Sequence, residues 1–309
     1  MITALAGGVG AARLLRGLVR VVPAAEVTAV VNTGDDTVLH GLHISPDIDT
    51  VLYTLAGLSD EERGWGLAGE TWTVMDRLEE LGGEAWFRLG DRDLATHLLR
   101  TQRLSHGASL TQVTAELAAA LGVQTRVVPM SDEPVRTRIT LADGPEVEFQ
   151  QYFVARRHAV AVAAIRYQGA ETARPAPGVL DALADAEVVV LCPSNPLLSL
   201  GPPLAVPGVA EALAARRSSV VAVSPLVAGA ALKGPADRLM GELGHEVSAV
   251  GVARLYAAVA GCLVIDEVDA ALAPRVEEQG VRAVIAPTVM SSVQRAADLA
   301  AAVLQAAGG

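Results

Sequence analysis

Lysine is almost missing from this chain: Lys233 is the only one among 24 basic residues, and the rest are arginine. Codon bias in a GC-rich genome accounts for that, but it means that fixed positive charge comes as forked guanidinium, matched to phosphate and carboxylate oxygens. Aromatics are scarce too, at 3% against 51% hydrophobic overall, so the core has to be built from Ala, Val and Leu. The two cysteines, Cys192 and Cys262, stand far apart. They make neither a disulfide framework nor a zinc site, and they suit a reducing cytoplasm. The longest uncharged apolar stretch, Leu255 to Ile265, falls well short of the ~18 residues of a membrane span. No basic leader precedes the first strand-like run. A net charge of -11 argues against a nucleic-acid partner, which needs a basic face. The expectation is a soluble cytoplasmic protein acting on small molecules. Anionic ones remain open to it, because arginine and metal ions concentrate positive charge locally.

What is present is a repeated alternation of short β-branched runs with Ala/Leu-rich helical patterns. Ile2–Ala6, Val27–Val31, Glu187–Leu191, Val220–Val223, Cys262–Ile265 and Ala283–Ala286 read as strands, near-continuously apolar as parallel strands buried on both faces should be. Ala11–Val21 reads as a helix with Leu14, Leu15 and Leu18 on one face. The alternation predicts an α/β, Rossmann-like, doubly wound and mainly parallel sheet. From about residue 50 to 122 the patterns turn helical, with Thr71–Leu81, Leu94–Arg103 and Leu110–Leu121 clearest, predicting a helical insertion over the strand ends. Arg136–Leu141 and Val147–Phe153, joined by Ala142-Asp143-Gly144-Pro145, predict a β-hairpin. No linker or repeat divides the chain, so residues 1–309 are taken as one domain.

Four carboxylates in fifteen residues carry most of the chemistry: Asp35 and Asp36 in Asn32-Thr33-Gly34-Asp35-Asp36, then Asp47 and Asp49 in Asp47-Ile48-Asp49-Thr50. They lie one strand downstream of a glycine turn, Gly7-Gly8-Val9-Gly10, that joins a strand to a helix. Such a turn offers backbone N–H groups to phosphate, and clustered carboxylates suit a hard divalent cation bridging protein to phosphate. The turn departs from the dinucleotide fingerprint, because Arg13 takes the third glycine's place and the second strand ends in Asn32 rather than an acid. An NAD-linked dehydrogenase is therefore disfavoured. Asp47 reads as a cap on the following helix, leaving Asp35 and Asp49 as the better Mg²⁺ candidates. Trp86-Phe87-Arg88-Leu89-Gly90-Asp91-Arg92-Asp93 places arginines beside aromatics, a planar-ligand and anion site, with Asp93 as a helix N-cap and Asp91–Arg92 as a local ion pair. Ser194 and Asn195, framed by Pro193 and Pro196, form a rigid loop at a strand end, with a hydroxyl and an amide available to a base or phosphate. No Gly-x-Ser-x-Gly elbow surrounds Ser194. The histidines are read as packing or surface residues at 97 and 106, and no nucleophile–base pair is visible.

In order along the chain, AGGVGAAR (6–13), NTGDD (32–36), DIDTVLYTLAG (47–57), GWG (64–66), WFRLGDRDLATH (86–97), MSDEPVRT (130–137), PSNP (193–196) and LKGPA (232–236) resemble the CofD (FbiA) family, the 2-phospho-L-lactate transferases of coenzyme F-420 biosynthesis. The likeness runs from residue 1 to about 240. It implies a Rossmann-like fold with a helical insertion, usually a homodimer, moving a phospholactyl or enolpyruvyl-phosphate group from a guanosine diphosphate-linked donor to the deazaflavin Fo, with release of GMP. It also implies Asp49 and Arg88 at Fo, and Asp35 with Asp49 on Mg²⁺ and so in catalysis; the residues' own chemistry puts Gly7, Gly8, Gly10, Asn32, Ser194 and Asn195 around the nucleotide. A non-catalytic nucleotide-sugar-binding regulator of the YvcK type is the competing reading.

Overall fold

Seven parallel strands form the centre of the computed structural model, which describes residues 1–308. They are β1 (Ile2–Ala6), β2 (Val27–Val31), β3 (Arg126–Pro129), β4 (Val188–Leu191), β5 (Val220–Val223), β6 (Cys262–Ile265) and β7 (Arg282–Ile285), in the order β7-β6-β5-β4-β1-β2-β3. Side-chain alternation explains why both faces had to be apolar. Leu5, Val30, Val189, Leu191 and Ala222 pack into one layer, and Ala4, Ala6, Ala29, Val31, Val190 and Val221 into the other. The first of the flanking helices, α1 (Gly8–Val21), buries Leu14, Leu15 and Leu18 beneath the sheet. It lies so close to the C-terminal helix (Val293–Ala307) that a Cβ at Gly17 would stand 2.2 Å from the Ala296 carbonyl oxygen. Among the described residues, no helix is long and apolar enough to cross a membrane.

The sheet confirms the α/β, Rossmann-like expectation and locates its switch point. β1 pairs with β2 on one side and β4 on the other, so the chain leaves in opposite directions from neighbouring strands. Ligands of open α/β sheets bind beyond the carboxyl ends of the strands at such a crevice. Here the Gly7–Gly10 turn and the Cys192–Asn195 loop meet there.

Between β2 and β3 come a small hairpin (Thr37–Leu39 with Leu42–Ile44) and helices α2 (Pro46–Leu55), α3 (Thr73–Glu80), α4 (Asp93–Ser105) and α5 (Leu110–Ala120). The predicted hairpin at 136–153 is partly corrected. Its second strand covers only Glu146–Glu148, after which Gln151–Ala155 coils into a π-helical turn. Phe149, Tyr152 and Phe153 have helical rather than alternating spacing, and Phe149 stacks on Phe153 at 5.2 Å. The other partner of Arg136–Leu141 is Val162–Gln168, running antiparallel. The alternation of that strand is confined to Ile165-Arg166-Tyr167-Gln168, behind an Ala-Ala pair that shows solvent both its side chains.

Candidate active site

The glycine turn is shaped by close approach. Gly8 has a left-handed backbone (φ 71°), which glycine adopts without strain. A Cβ at Gly10 would lie 2.3 Å from the Pro193 carbonyl oxygen, and one at Gly7 would lie 2.7 Å from Ser199 Cβ and 2.8 Å from Asp47 Oδ2. Ser194 Oγ donates to the Gly7 carbonyl at 2.7 Å, clamping the two switch-point loops together. Helix α1 therefore starts directly at Gly8, three residues before the predicted Ala11. Asn195 folds back on its own loop, its Oδ1 accepting from Leu197 N–H at 2.9 Å and Leu198 N–H at 3.1 Å.

Asn32 braces the acids. Its Oδ1 accepts from Gly34 N–H at 2.8 Å, and its Nδ2 donates to Asp47 Oδ2 at 2.9 Å and lies 3.5 Å from Asp35 Oδ1. Asp47 is thus not primarily the cap of its helix. It sits in the first turn of α2 behind Ser45 and Pro46, but its carboxylate turns back to Asn32 and the Gly8 N–H. Asp35, Asp47 and Asp49 are all buried. Burial, then the charges of Asp47 and Asp36, raises the Asp35 carboxyl well above the usual range. Burial pushes Asp36 up to about 7 and Asp47 to about 6. Asp36 Oδ2 accepts from Ser45 Oγ at 2.8 Å, while its Oδ1 is buried without a partner.

These shifts set the sign of a pH effect. The folded pKa values exceed the unfolded value of about 3.9, so the contribution to stability is full below that pH and is lost as pH rises through about 6 and about 7. Protein in a chelator should therefore melt at progressively lower temperature between pH 5 and pH 8, and a divalent cation should restore the loss at the upper end. A melting temperature that is flat or rising across that window would show the acids to be solvated.

Asp49 differs from its neighbours in having a cation. Arg100, fully buried on α4, places NH1 3.0 Å from Asp49 Oδ2 and hydrogen-bonds Asp49 Oδ1 through NH2. Burial works against the Arg100 charge, but Asp49 outweighs it and holds the guanidinium charged. His97 lies in the same seam, 1% exposed, so of its two readings the packing one holds, though its neighbours there are charged. Asp93 is not an N-cap. It is the first residue of α4 and accepts from the Tyr53 hydroxyl at 2.5 Å. Nor does Asp91 pair with Arg92: it accepts from Thr71 Oγ1 at 2.6 Å and from the N–H groups of Thr73 and Val74 at 3.0 Å, anchoring the start of α3. Arg92 reaches the Ala68 carbonyl instead.

Arg88 belongs to a separate, more open group. It pairs with Asp76 at 2.6 Å and stands 5.4 Å from the centre of the Trp72 ring, with Trp86 edge-on to Phe87 next along the chain. Arg63 stands over both Trp65 and Trp72. A cleft of about 630 Å³, open to solvent, runs between α1, α2 and the 59–66 loop, with Arg13, Arg16, Tyr53 and Trp65 on its walls. A smaller one of about 210 Å³ is lined by Asp35, Asp36, Arg136, Thr137 and Gln150. Sequence reasoning missed Arg100, Arg136 and Gln150, whose side chain donates to the Asp35 carbonyl at 2.9 Å. No local pattern joined them to the acids; the structure does, through Gln150 and through the Thr137 N–H, which donates to the Gly34 carbonyl at 2.7 Å.

The family model of 2-phospho-L-lactate transferase CofD matches residues 2–302. A phosphoenolpyruvate transferase of Kitasatospora aureofaciens is 46% identical over 306 residues, covering 97% of this chain and 95% of the relative. A 2-phospho-L-lactate transferase of Methanosarcina mazei is 40% identical over 300 residues, covering 97% and 98%. Among solved structures, a UPF0052-family protein of Bacillus halodurans superposes with a TM-score of 0.62 at 19% identity, over 98% of each chain, a likeness of fold.

Proposed function

Because this chain belongs to the CofD family of 2-phospho-L-lactate transferases, we propose that it transfers a three-carbon acid phosphate from a guanosine diphosphate-linked donor to the deazaflavin Fo, releasing GMP. The observation that carries the reading is the placement of Asp35 and Asp47, buried carboxylates sharing one Asn32 amide, beside the glycine turn at the switch point. Transfer at phosphorus needs alignment and charge neutralisation more than a strong nucleophile.

The donor set fits Mg²⁺. Asp35 is a hard oxygen ligand, and its Oδ1 has only the 3.5 Å contact from Asn32. Asp49 keeps one lone pair on each oxygen beyond the Arg100 fork, enough for a second ligand or for orienting the Fo hydroxyl. When bound, Mg²⁺ would neutralise the diphosphate and so stabilise the departing GMP. The missing Cβ atoms at Gly7 and Gly10 let the turn close against Ser199 and the Pro193 carbonyl, and the start of α1 behind Gly7, Gly8 and Gly10 would favour the negative charge of the phosphates. Asn32 holds the acids in place, and Ser194 and Asn195 hold the facing loop, with Ser194 lone pairs and the Asn195 amide N–H groups left for the nucleotide. Arg88, beside Trp72, would take the flat deazaflavin ring, and Asp49, in its separate group, the hydroxyl end of Fo. A homodimer in the cytoplasm completes the reading, on family likeness.

The test is to mix protein, Mg²⁺ and Fo with enolpyruvyl and phospholactyl donors in turn, the order in which the relatives of 46% and 40% identity are named. GMP should appear in step with a phosphodiester of Fo for one donor. Saturable nucleotide binding without GMP from any donor, and without a change in Fo fluorescence, would favour the regulator instead.

A further inference from the structure

Helix α4 carries Asp93, His97 and Arg100 at spacings of four and three, one stripe of the helix, and this stripe meets Asp49 and Tyr53 on α2. His97 and Arg100 are 1% and 0% exposed. Arg100 NH1, which donates to Asp49 Oδ2, also lies 3.2 Å from His97 Nδ1. A guanidinium nitrogen has no lone pair to offer, so His97 Nδ1 must be the acceptor and the ring proton sits on Nε2. His97 Nε2 is buried and 3.3 Å from Asp93 Oδ2, without a well-aligned hydrogen bond. The other Asp93 oxygen is fixed by Tyr53.

We propose that His97 is a positioning residue: by accepting from Arg100 and facing Asp93, it fixes the guanidinium fork and hence the direction in which Asp49 presents its carboxylate. The role rests on the reading that Asp49 serves the acceptor or the metal. Donor atoms of Asp49, Asp93 and His97 do lie within 4.8 Å of one another, as a metal site would require. Here Arg100 already supplies the positive charge, holding both Asp49 oxygens and facing His97 Nδ1. A cation in the cluster would have to displace it.

Two variants and one spectrum test the proposal. His97→Leu should lower kcat about 10- to 100-fold, the usual range for a residue supporting a functional ligand, with the KM for the guanosine diphosphate-linked donor little changed. His97→Gln, whose amide can both accept and donate, should recover much of that loss. Long-range ¹H–¹⁵N spectra of the chelator-treated wild type should show His97 as the Nε2–H tautomer, with Arg100 N–H signals that are resolved in wild type and averaged in His97→Leu. A protonated Nδ1, unchanged Arg100 signals in His97→Leu, or a Gln variant as impaired as Leu would each overturn the proposal. If wild type releases no GMP with any donor, the transferase reading fails, while the tautomer and the Arg100 signals still decide whether His97 holds the fork.

Discussion

Asp49→Asn is expected to lose turnover and stability together, by separate routes. The turnover loss follows from the contact proposed with Fo or Mg²⁺, and it should reach the background rate of GMP release. The stability loss has nothing to do with substrate. Arg100 is fully buried, and Asp49 is the one carboxylate in its fork. Removing a single partner of a buried pair leaves an uncompensated charge and costs about 3–5 kcal/mol. For a chain of this size that is a drop in melting temperature on the order of 10 °C. Asp49→Leu combined with Arg100→Met should regain most of the stability, because apolar replacements of a buried pair pack without a desolvation cost, yet remain inactive. A single variant that melts like wild type would show Arg100 to be uncommitted. A double variant that turns over would remove Asp49 from the chemistry.

Gly10→Ala should be the most damaging single-methyl change at the switch point. The new Cβ would meet the Pro193 carbonyl oxygen at 2.3 Å, a backbone atom that no side-chain rotation can move aside. Either α1 or the loop after β4 must shift, at roughly 3 kcal/mol, the upper end for overpacking. The same shift would spread the two loops proposed to hold the nucleotide, so guanine-nucleotide affinity should fall in parallel with melting temperature. Gly144→Ala is the control, since a Cβ there meets nothing within 4 Å. Equal melting temperatures and equal nucleotide affinities for the two variants would mean that the loops are not packed as described.

The sequence was readable where burial is two-sided or geometry leaves no choice. Strands β1, β2, β5 and β6 are buried at every position, so their apolar runs gave both type and boundaries. Strand β3 went unread, because it is a four-residue edge strand that begins with an exposed Arg126 and ends in Pro129. Val162–Gln168 was hidden because its inward positions, Val162, Ile165 and Tyr167, are broken by an exposed Ala-Ala pair that interrupts the period of two. In the site, the glycine turn and the acids were visible as local spacing. Their partners were not: Arg100 lies 51 residues from Asp49 and Gln150 lies 115 from Asp35, and only tertiary packing joins them. His97 looked like an ordinary helix residue until α4 was laid against α2.

The most direct measurement is the anomalous scattering of Mn²⁺, standing in for Mg²⁺, in crystals soaked with guanosine diphosphate. The expected result is a peak within bonding distance of an Asp35 oxygen, with the diphosphate against the Gly7–Gly10 turn and Arg100 still paired to Asp49. A peak in the Asp49–Asp93–His97 cluster with Asp35 unligated, or a diphosphate bound away from the switch point, would contradict it.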